Sequence, residues 1–129
     1  MIALSQEVQT IIRNHVEHYA KDFGIIIECN ERTKFIKYEI GEYFTFHRDD
    51  HPNTPRVFSS LLYVNDDYVG GDLHFKYFGF SKKPKAGDLF VFPSNYAYIH
   101  ESVVISSGTK YAITDFWEES FRSETQYEE

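Results

Sequence analysis

One helix followed by about eight short strands predicts a mainly β fold. The expected architecture is a double-sheet jelly roll of the cupin type, a double-stranded β-helix, with the N-terminal helix supporting one sheet. Three observations lead there. Apolar residues recur at helical spacing only up to Gly24, and from Ile25 onward short apolar runs alternate with turn residues. Aromatic residues make up 18% of the chain (12 Phe, 10 Tyr, 1 Trp), and many sit in those runs. At 129 residues, 42% of them hydrophobic, residues 1–129 are expected to form a single minimal domain around one core.

The helix is expected over 5–23. Leu4, Val8, Ile11, Ile12, Tyr19 and Phe23 form its apolar stripe, Ser5 is a candidate N-cap and Gly24 a candidate stop. His15 and His18 lie one turn apart on it, far from any other ligand type, and read as solvated or packing residues. Strands are expected over 25–29, 33–39, 42–49, 56–64, 72–77, 88–93, 98–104 and 109–117. Between them stand turn formers: Asn30-Glu31, Ile40-Gly41, the 51–55 segment with Pro52 and Pro55, Asn65-Asp66-Asp67, Gly70-Gly71, Pro84 to Gly87, Pro93-Ser94-Asn95 and Ser106 to Gly108. The barrel thus occupies about 25–117, and residues 118–129 read as a frayed acidic tail.

Twenty acidic against thirteen basic residues give a formal charge of -7, which repels phosphate backbones; no nucleic-acid partner is expected. Lys82, Lys83 and Lys85 are the only basic cluster. A basic or neutral peptide suits the charge better. The single Cys29 excludes an intrachain disulfide framework and suits a reducing compartment. No stretch has the composition of a signal peptide or the roughly 20 apolar residues of a membrane span, so a cytoplasmic protein without membrane association is expected.

The chemistry is concentrated in His47-Arg48-Asp49, His100 and Lys110. Two imidazoles and one carboxylate leave half of an iron's coordination sphere open for oxygen chemistry. On a strand, residues two apart share a face about 6.6 Å apart, so His47 and Asp49 can converge on one metal, with His100 arriving from another strand. His51 continues the alternation but precedes Pro52 in a turn-like segment, and His74 can face either way; both read as structural or solvent-facing. Lys110 on an adjoining strand would point an ammonium into the barrel, where a buried cation demands an anionic partner. A dicarboxylic acid bound to the metal at one end and to Lys110 at the other would provide it, and Tyr38 and Tyr63 are candidate phenolic donors to the same carboxylate.

With these residues in view, the sequence resembles the prolyl 4-hydroxylase group of Fe(II)/2-oxoglutarate-dependent dioxygenases from about Lys34 to Phe116. The segments that carry the likeness are Lys-Tyr-Glu-Ile-Gly-Glu-Tyr-Phe-Thr-Phe-His-Arg-Asp (37–49), Arg-Val-Phe-Ser-Ser-Leu-Leu-Tyr-Val-Asn (56–65), Gly-Gly-Asp-Leu-His-Phe (70–75), Pro-Lys-Ala-Gly-Asp-Leu-Phe-Val-Phe (84–92), His-Glu-Ser-Val (100–103) and Gly-Thr-Lys-Tyr-Ala-Ile-Thr (108–114). The resemblance implies iron ligands His47, Asp49 and His100, and a Lys110 that pairs with the distal carboxylate of 2-oxoglutarate, helped by Tyr38, Tyr63 and Thr114. It implies that Arg56 helps hold a peptide substrate. Fe(II), 2-oxoglutarate and O2 are the implied cofactor set, with ascorbate as a candidate reductant. The implied reaction hydroxylates an unactivated C–H bond, foremost of a prolyl residue in a peptide or protein, and releases succinate and CO2. The chain departs from the family at Phe116, where the family often has Trp, at Glu118, and in the short segment from Asp49 to Arg56. Two other readings are compatible with the residues: a hydroxylase of free proline or another small amino acid, and a non-oxygenase cupin-type metal-binding module.

Overall fold

The computed structural model describes residues 2–29 and 31–120, with side chains from Ser5 onward. Helix α1 (Ile2–Lys21) comes first. It is followed by β1 (Ile27–Glu28), β2 (Lys34–Tyr38), β3 (Phe44–His47), β4 (Arg56–Tyr63), β5 (Val69–Gly70), β6 (Leu73–Phe75), β7 (Phe80–Lys82) and β8 (Leu89–Pro93). A 3-10 turn over Tyr96–Tyr98 leads into β9 (His100–Ser102), β10 (Ile105–Ser107) and β11 (Lys110–Glu119).

Helix α1 begins three residues before the expected start, so Ser5 lies inside it and does not cap it. The residues ahead of Ser5 include Ala3 and Leu4, which are strong helix formers and give the chain no reason to stop there. At the other end the expectation of a glycine stop holds. Gly24 adopts φ +67°, its amide donates to Lys21 O at 3.1 Å, and the next amide, Ile25, reaches back to Ala20 O at 3.1 Å. That pair of bonds is a Schellman closure, which consumes carbonyls the helix end leaves unpaired. The helix's inward stripe of Ile12, Val16 and Ala20 packs on Ile27, Phe58, Ile113 and Trp117.

One sheet has the order β1-β11-β4-β8, with β2 also paired to β11; a second has the order β3-β9-β6-β7; β10 and β5 form a two-stranded ladder. The first sheet buries both faces. Ile113 and Trp117 of β11, with Phe58 of β4, point toward α1, and Trp117 Nε1 donates to Ser60 Oγ at 2.9 Å. The opposite face turns toward the second sheet, where Phe92 of β8 meets Leu73 and Phe75 of β6. Along β11 the alternation is strict, as a strand's two-residue period requires. Odd positions pack toward the helix or solvent, and Lys110, Ala112, Thr114 and Phe116 line the space between the sheets.

Sequence periodicity missed β5, β7 and β10. Each is only two or three residues long, and β5 and β10 lie in segments dominated by glycine and serine. The expected strand 98–104 is divided. Its start is the 3-10 turn, its middle is β9, and the chain then turns to form β10. The expected 42–49 strand is shortened to β3, so Asp49 sits on a bend beyond the strand end and does not share a strand face with His47. Strand β11 continues to Glu119, two residues past the expected limit, because Glu118 and Glu119 pair with β1. Residues 121–129, most of the expected acidic tail, lie outside the described residues. Among the described residues no helix is long and apolar enough to cross a membrane.

Ile12 is 2% exposed at the centre of the helix–sheet contact. Ile12→Ala is expected to cost about 2–5 kcal/mol of unfolding free energy through lost burial and a residual cavity. Urea titration followed by circular dichroism measures it, and a loss below about 1 kcal/mol would contradict the packing described.

Candidate active site

The space between the sheets is a cavity of about 340 Å³. Strands β2, β4 and β11 supply one wall, and β3 and β9 supply most of the other. Antiparallel pairing brings His47 and His100 together although 52 residues of chain separate them: the two are directly opposite in the β3–β9 ladder. Asp49 reaches the same point from the bend. The ligand-capable atoms of His47, Asp49 and His100 all lie within 4.8 Å of one another. His47 Nε2 is 3.3 Å from Asp49 Oδ1, and His100 Nε2 is 3.7 Å from Asp49 Oδ2.

Each imidazole is oriented by its other nitrogen. His47 Nδ1 lies 2.8 Å from Thr45 O and His100 Nδ1 lies 2.9 Å from Tyr98 O. A carbonyl can only accept, so Nδ1 carries the proton in both rings and Nε2 is left as the lone-pair donor. Phe44 stacks on His47 with centroids 3.8 Å apart, and Phe92 and Phe75 meet the His100 ring edge-on or tilted. Burial disfavours charge on His47, but the Asp49 hydrogen bond, the Thr45 carbonyl and the Asp49 charge outweigh it and raise its pKa. Burial lowers the His100 pKa. Burial also opposes charge on Asp49, yet His47, His100 and Ser59 together keep its carboxyl below the ordinary range. An ionised carboxylate beside imidazoles with inward Nε2 atoms is the donor set that suits a divalent iron, with half the coordination sphere open.

Two serines that periodicity did not single out complete this end. Ser59 Oγ donates to Asp49 Oδ2 at 2.6 Å and lies 2.8 Å from Ser94 Oγ, all three residues being buried. The available signal was the pair Ser59-Ser60 in the middle of an otherwise apolar strand. Ser60, on the opposite face, serves Trp117 instead.

Lys110 lies along β11 in the same cavity. It is 2% exposed, and Nζ donates to Gly71 O and Ser102 Oγ, both at 2.9 Å. The ammonium sits 5.0 Å from the Tyr38 ring centre and 5.1 Å from that of Tyr63. Its hydrogen-bond partners are neutral, and burial pulls its pKa down to about 8. Gly71 adopts φ +70°, and a Cβ there would lie 2.7 Å from the Tyr68 ring and 3.1 Å from Lys110 Cδ, so the close approach of the Gly71 carbonyl to Lys110 requires glycine. Burial raises the pKa of both Tyr38 and Tyr63, which keeps the phenols protonated.

Thr114 Oγ1 is buried in the cavity wall without a hydrogen-bond partner. Pairing sets Lys110 opposite Tyr38 and Thr114 opposite Lys34 and Leu61, so Thr114 is four residues, about 13 Å of strand, beyond Lys110. It lies toward Phe116, whose register partner is the Asp49-binding Ser59. An unpaired buried hydroxyl and an ammonium lacking an anionic hydrogen-bond partner, in one cavity with a metal-type donor set, fit a dicarboxylic acid that also reaches the metal.

The other residues singled out from the sequence are placed as follows. Arg56 lines the cavity but forms a two-pronged ion pair with Glu31, at 2.8 and 2.6 Å, and stacks 3.7 Å from the Phe116 ring centre. His51 is exposed at the cavity rim and its backbone bridges Thr54. His74 pairs with Glu101 at 3.1 Å. His15 and His18 are exposed on α1. Phe116 faces the cavity and Trp117 the helix, as their odd–even separation requires.

A family model described as the 2OG-Fe(II) oxygenase superfamily matches residues 33–118, well over half of the chain. No curated protein matches. Among solved structures, a viral collagen prolyl hydroxylase from Paramecium Bursaria Chlorella virus-1, in its 2OG complex, superposes with a TM-score of 0.72 at 19% identity, over 93% of this chain and 74% of that one. A prolyl-4-hydroxylase from Pseudomonas putida gives 0.59 at 24% identity, over 73% of this chain and 55% of that one. A prolyl hydroxylase from Trichoplax adhaerens, in complex with a hypoxia inducible factor oxygen degradation domain peptide fragment, gives 0.66 at 21% identity, over 74% of this chain and 46% of that one. The chain thus spans about half the length of the latter two, and the likeness establishes the expected double-stranded β-helix fold. By the family match, the chain belongs to the 2OG-Fe(II) oxygenase superfamily, which uses Fe(II), 2-oxoglutarate and O2.

Proposed function

We propose that the protein is a dioxygenase that hydroxylates an unactivated C–H bond of a prolyl residue in a peptide or protein. The observation that carries the reading is the single cavity holding the His47–Asp49–His100 cluster and the buried Lys110 ammonium. Bound Fe(II), 2-oxoglutarate and O2 supply the oxidising power, with succinate and CO2 as co-products. The chain's own residues bind and orient. His47, Asp49 and His100 would hold the metal, their ring orientations preset by Thr45 O and Tyr98 O. Lys110 and Tyr38 would take the distal carboxylate, with Tyr63 beside them, while Leu61, Ile36 and Ala112 exclude water from the walls. The register favours giving Thr114 the metal-side half of the oxoacid, and not the distal carboxylate.

The peptide part of the reading draws support from the fold shared with a prolyl hydroxylase solved with a peptide. A free amino acid is the second reading. It is favoured by the tight closure of the segment after Asp49, where Thr54 N donates to His51 O at 3.1 Å and leaves no long substrate loop.

Three outcomes test the proposal. The purified protein with Fe(II) and ascorbate is expected to release labelled CO2 from 1-labelled 2-oxoglutarate. A mass screen of proline-containing peptides and free amino acids should reveal a product heavier by one oxygen, and a product only from free amino acids would select the second reading. Lys110→Ala should raise the KM for 2-oxoglutarate at least tenfold, since a charge-assisted pair is worth about 1.5–3 kcal/mol. Unaltered 2-oxoglutarate dependence in that variant would remove Lys110 from the site.

The pH dependence follows from the Lys110 pKa of about 8. Between about 8 and the ordinary value of 10.5, the unfolded chain binds the proton that the folded, ligand-free chain has lost, so this group's contribution to stability rises with pH. Below pH 8 both states are protonated and the desolvation cost is fully felt. The stability of the ligand-free protein relative to Lys110→Met is therefore expected to increase from pH 8 to 10, measured by urea titration. Affinity for 2-oxoglutarate, which needs the ammonium, should fall over the same range.

A further inference from the structure

Asp49 presents a mechanical problem. The ladder that positions His47 and His100 ends at His47, so no strand pairing holds the carboxylate that must meet them. Besides the exposed two-pronged Arg48–Asp50 ion pair across Asp49, three restraints fix the bend. Ser59 Oγ holds Asp49 Oδ2 at 2.6 Å, Asp50 N donates to Ser94 O at 3.0 Å, and Arg56 Nη1 donates to Asp49 O at 2.9 Å. The first acts on the side chain alone, and the other two hold the main chain on either side of the Asp49–Asp50 peptide.

Arg56 is itself held on every side. Its Nε and Nη2 fork onto the two oxygens of Glu31, and one face of the guanidinium lies on Phe116. The hydrogen bond from Arg56 keeps Glu31 ionised, its pKa lowered against the opposing effect of burial. Three of the five guanidinium N–H groups are thereby engaged within the chain, and the charge is compensated before any substrate arrives. A planar fork stacked on a ring is a geometry lysine cannot reproduce.

We propose that Arg56, locked by Glu31 and Phe116, is a positioning residue for the metal ligand Asp49. It supplies the main-chain hydrogen bond that a ladder would give if β3 extended to Asp49. This rests on the reading of His47, Asp49 and His100 as the metal ligands. It assigns Glu31, between β1 and β2, a part in metal binding although it touches no ligand, and it gives Arg56 a role other than anchoring substrate through its charge.

The test is Mn(II) affinity, by titration calorimetry without 2-oxoglutarate, for the wild type and for Arg56→Gln, Arg56→Lys and Glu31→Gln. Arg56→Gln separates the explanations by sign. It removes a positive charge near the site, so electrostatics alone predicts tighter Mn(II) binding, whereas loss of positioning predicts weaker binding by about 10–100-fold, the usual range for residues that orient ligands. Arg56→Lys should be intermediate, and Glu31→Gln, which keeps the size of the side chain, should weaken binding about tenfold. At saturating metal the KM for 2-oxoglutarate should stay near the wild-type value. Thermal melts accompany each variant, and Glu31→Gln, titrated also in about 0.5 M salt to screen the charge it removes, decides the matter if the Arg56 variants do not fold. Wild-type Mn(II) affinity in Arg56→Gln, or in Glu31→Gln where that variant decides, overturns the positioning role. A rise confined to the substrate KM would return Arg56 to substrate anchoring. A wild type that binds no Mn(II) defeats the metal-site reading itself, an outcome distinct from unchanged affinity among the variants.

Discussion

The pairing of β11 with β2 on one side and β4 on the other is the constraint on which the rest of this molecule depends. Its register puts Lys110 beside Tyr38, Ala112 between Ile36 and Tyr63, Thr114 between Lys34 and Leu61, and Phe116 beside Ser59. These residues form the cavity wall in successive ranks. A slip by one residue would turn Ile113, Asp115 and Trp117 into the cavity and Lys110 out of it, because strand side chains alternate with a period of two. The helix enforces the register from behind: Ile12, Val16 and Ala20 accept only the apolar alternation of Ile113 and Trp117. A packing contact remote from the cavity thereby determines what the cavity contains.

That frame lets one small barrel hold opposite charges without cancelling them. Asp49 and Lys110 are both nearly fully buried, and each is supported by neutral donors or acceptors: Ser59 for the carboxylate, Gly71 O and Ser102 Oγ for the ammonium. Direct pairing would lower the electrostatic cost and destroy the site, since neither charge would be available to a metal or an anion. Strand separation prevents it. The unpaired Thr114 hydroxyl and the low pKa of Lys110 are the residual cost of burying these groups in the ligand-free chain without an anionic hydrogen-bond partner.

The back of the sheet has a different polar arrangement. Asp115 is fully buried; Oδ1 accepts from Thr33 at 2.6 Å and from Gln9 at 3.1 Å, while Oδ2 is without a partner. Gln9 also reaches Cys29 Sγ at 3.3 Å, and Cys29 in turn donates to Glu31 O at 3.1 Å. These contacts tie α1 to the stretch that carries Glu31, and Glu31 holds Arg56. The helix is thus joined to the cavity edge by hydrogen bonds as well as by apolar packing.

The sequence by itself determined the alternation of apolar residues, the glycine stop of α1, most strand positions, and the residue types that can hold a metal and an anion. Those follow from local chemistry: turn residues interrupt, a two-residue period sets faces, and a histidine or carboxylate carries a ligand atom wherever it lies. The His47–Asp49 spacing pointed to two residues that the structure does bring together, but for an incomplete reason. Their convergence comes from a bend that leaves β3, not from a shared strand face. The short strands β5, β7 and β10 were invisible because two or three residues carry no period and, unlike β1, β6 and β9, they fall outside the longer runs that read as strands. Ser94, Ser102 and Glu31 were equally hidden, since serine and glutamate are ordinary residues until a fold brings them against a residue of the site. Tertiary structure alone decided that His100 faces His47, that Thr114 lies away from Lys110, and that Arg56 is engaged by Glu31. Each is a contact between segments distant in sequence, fixed by sheet register and not by any local preference.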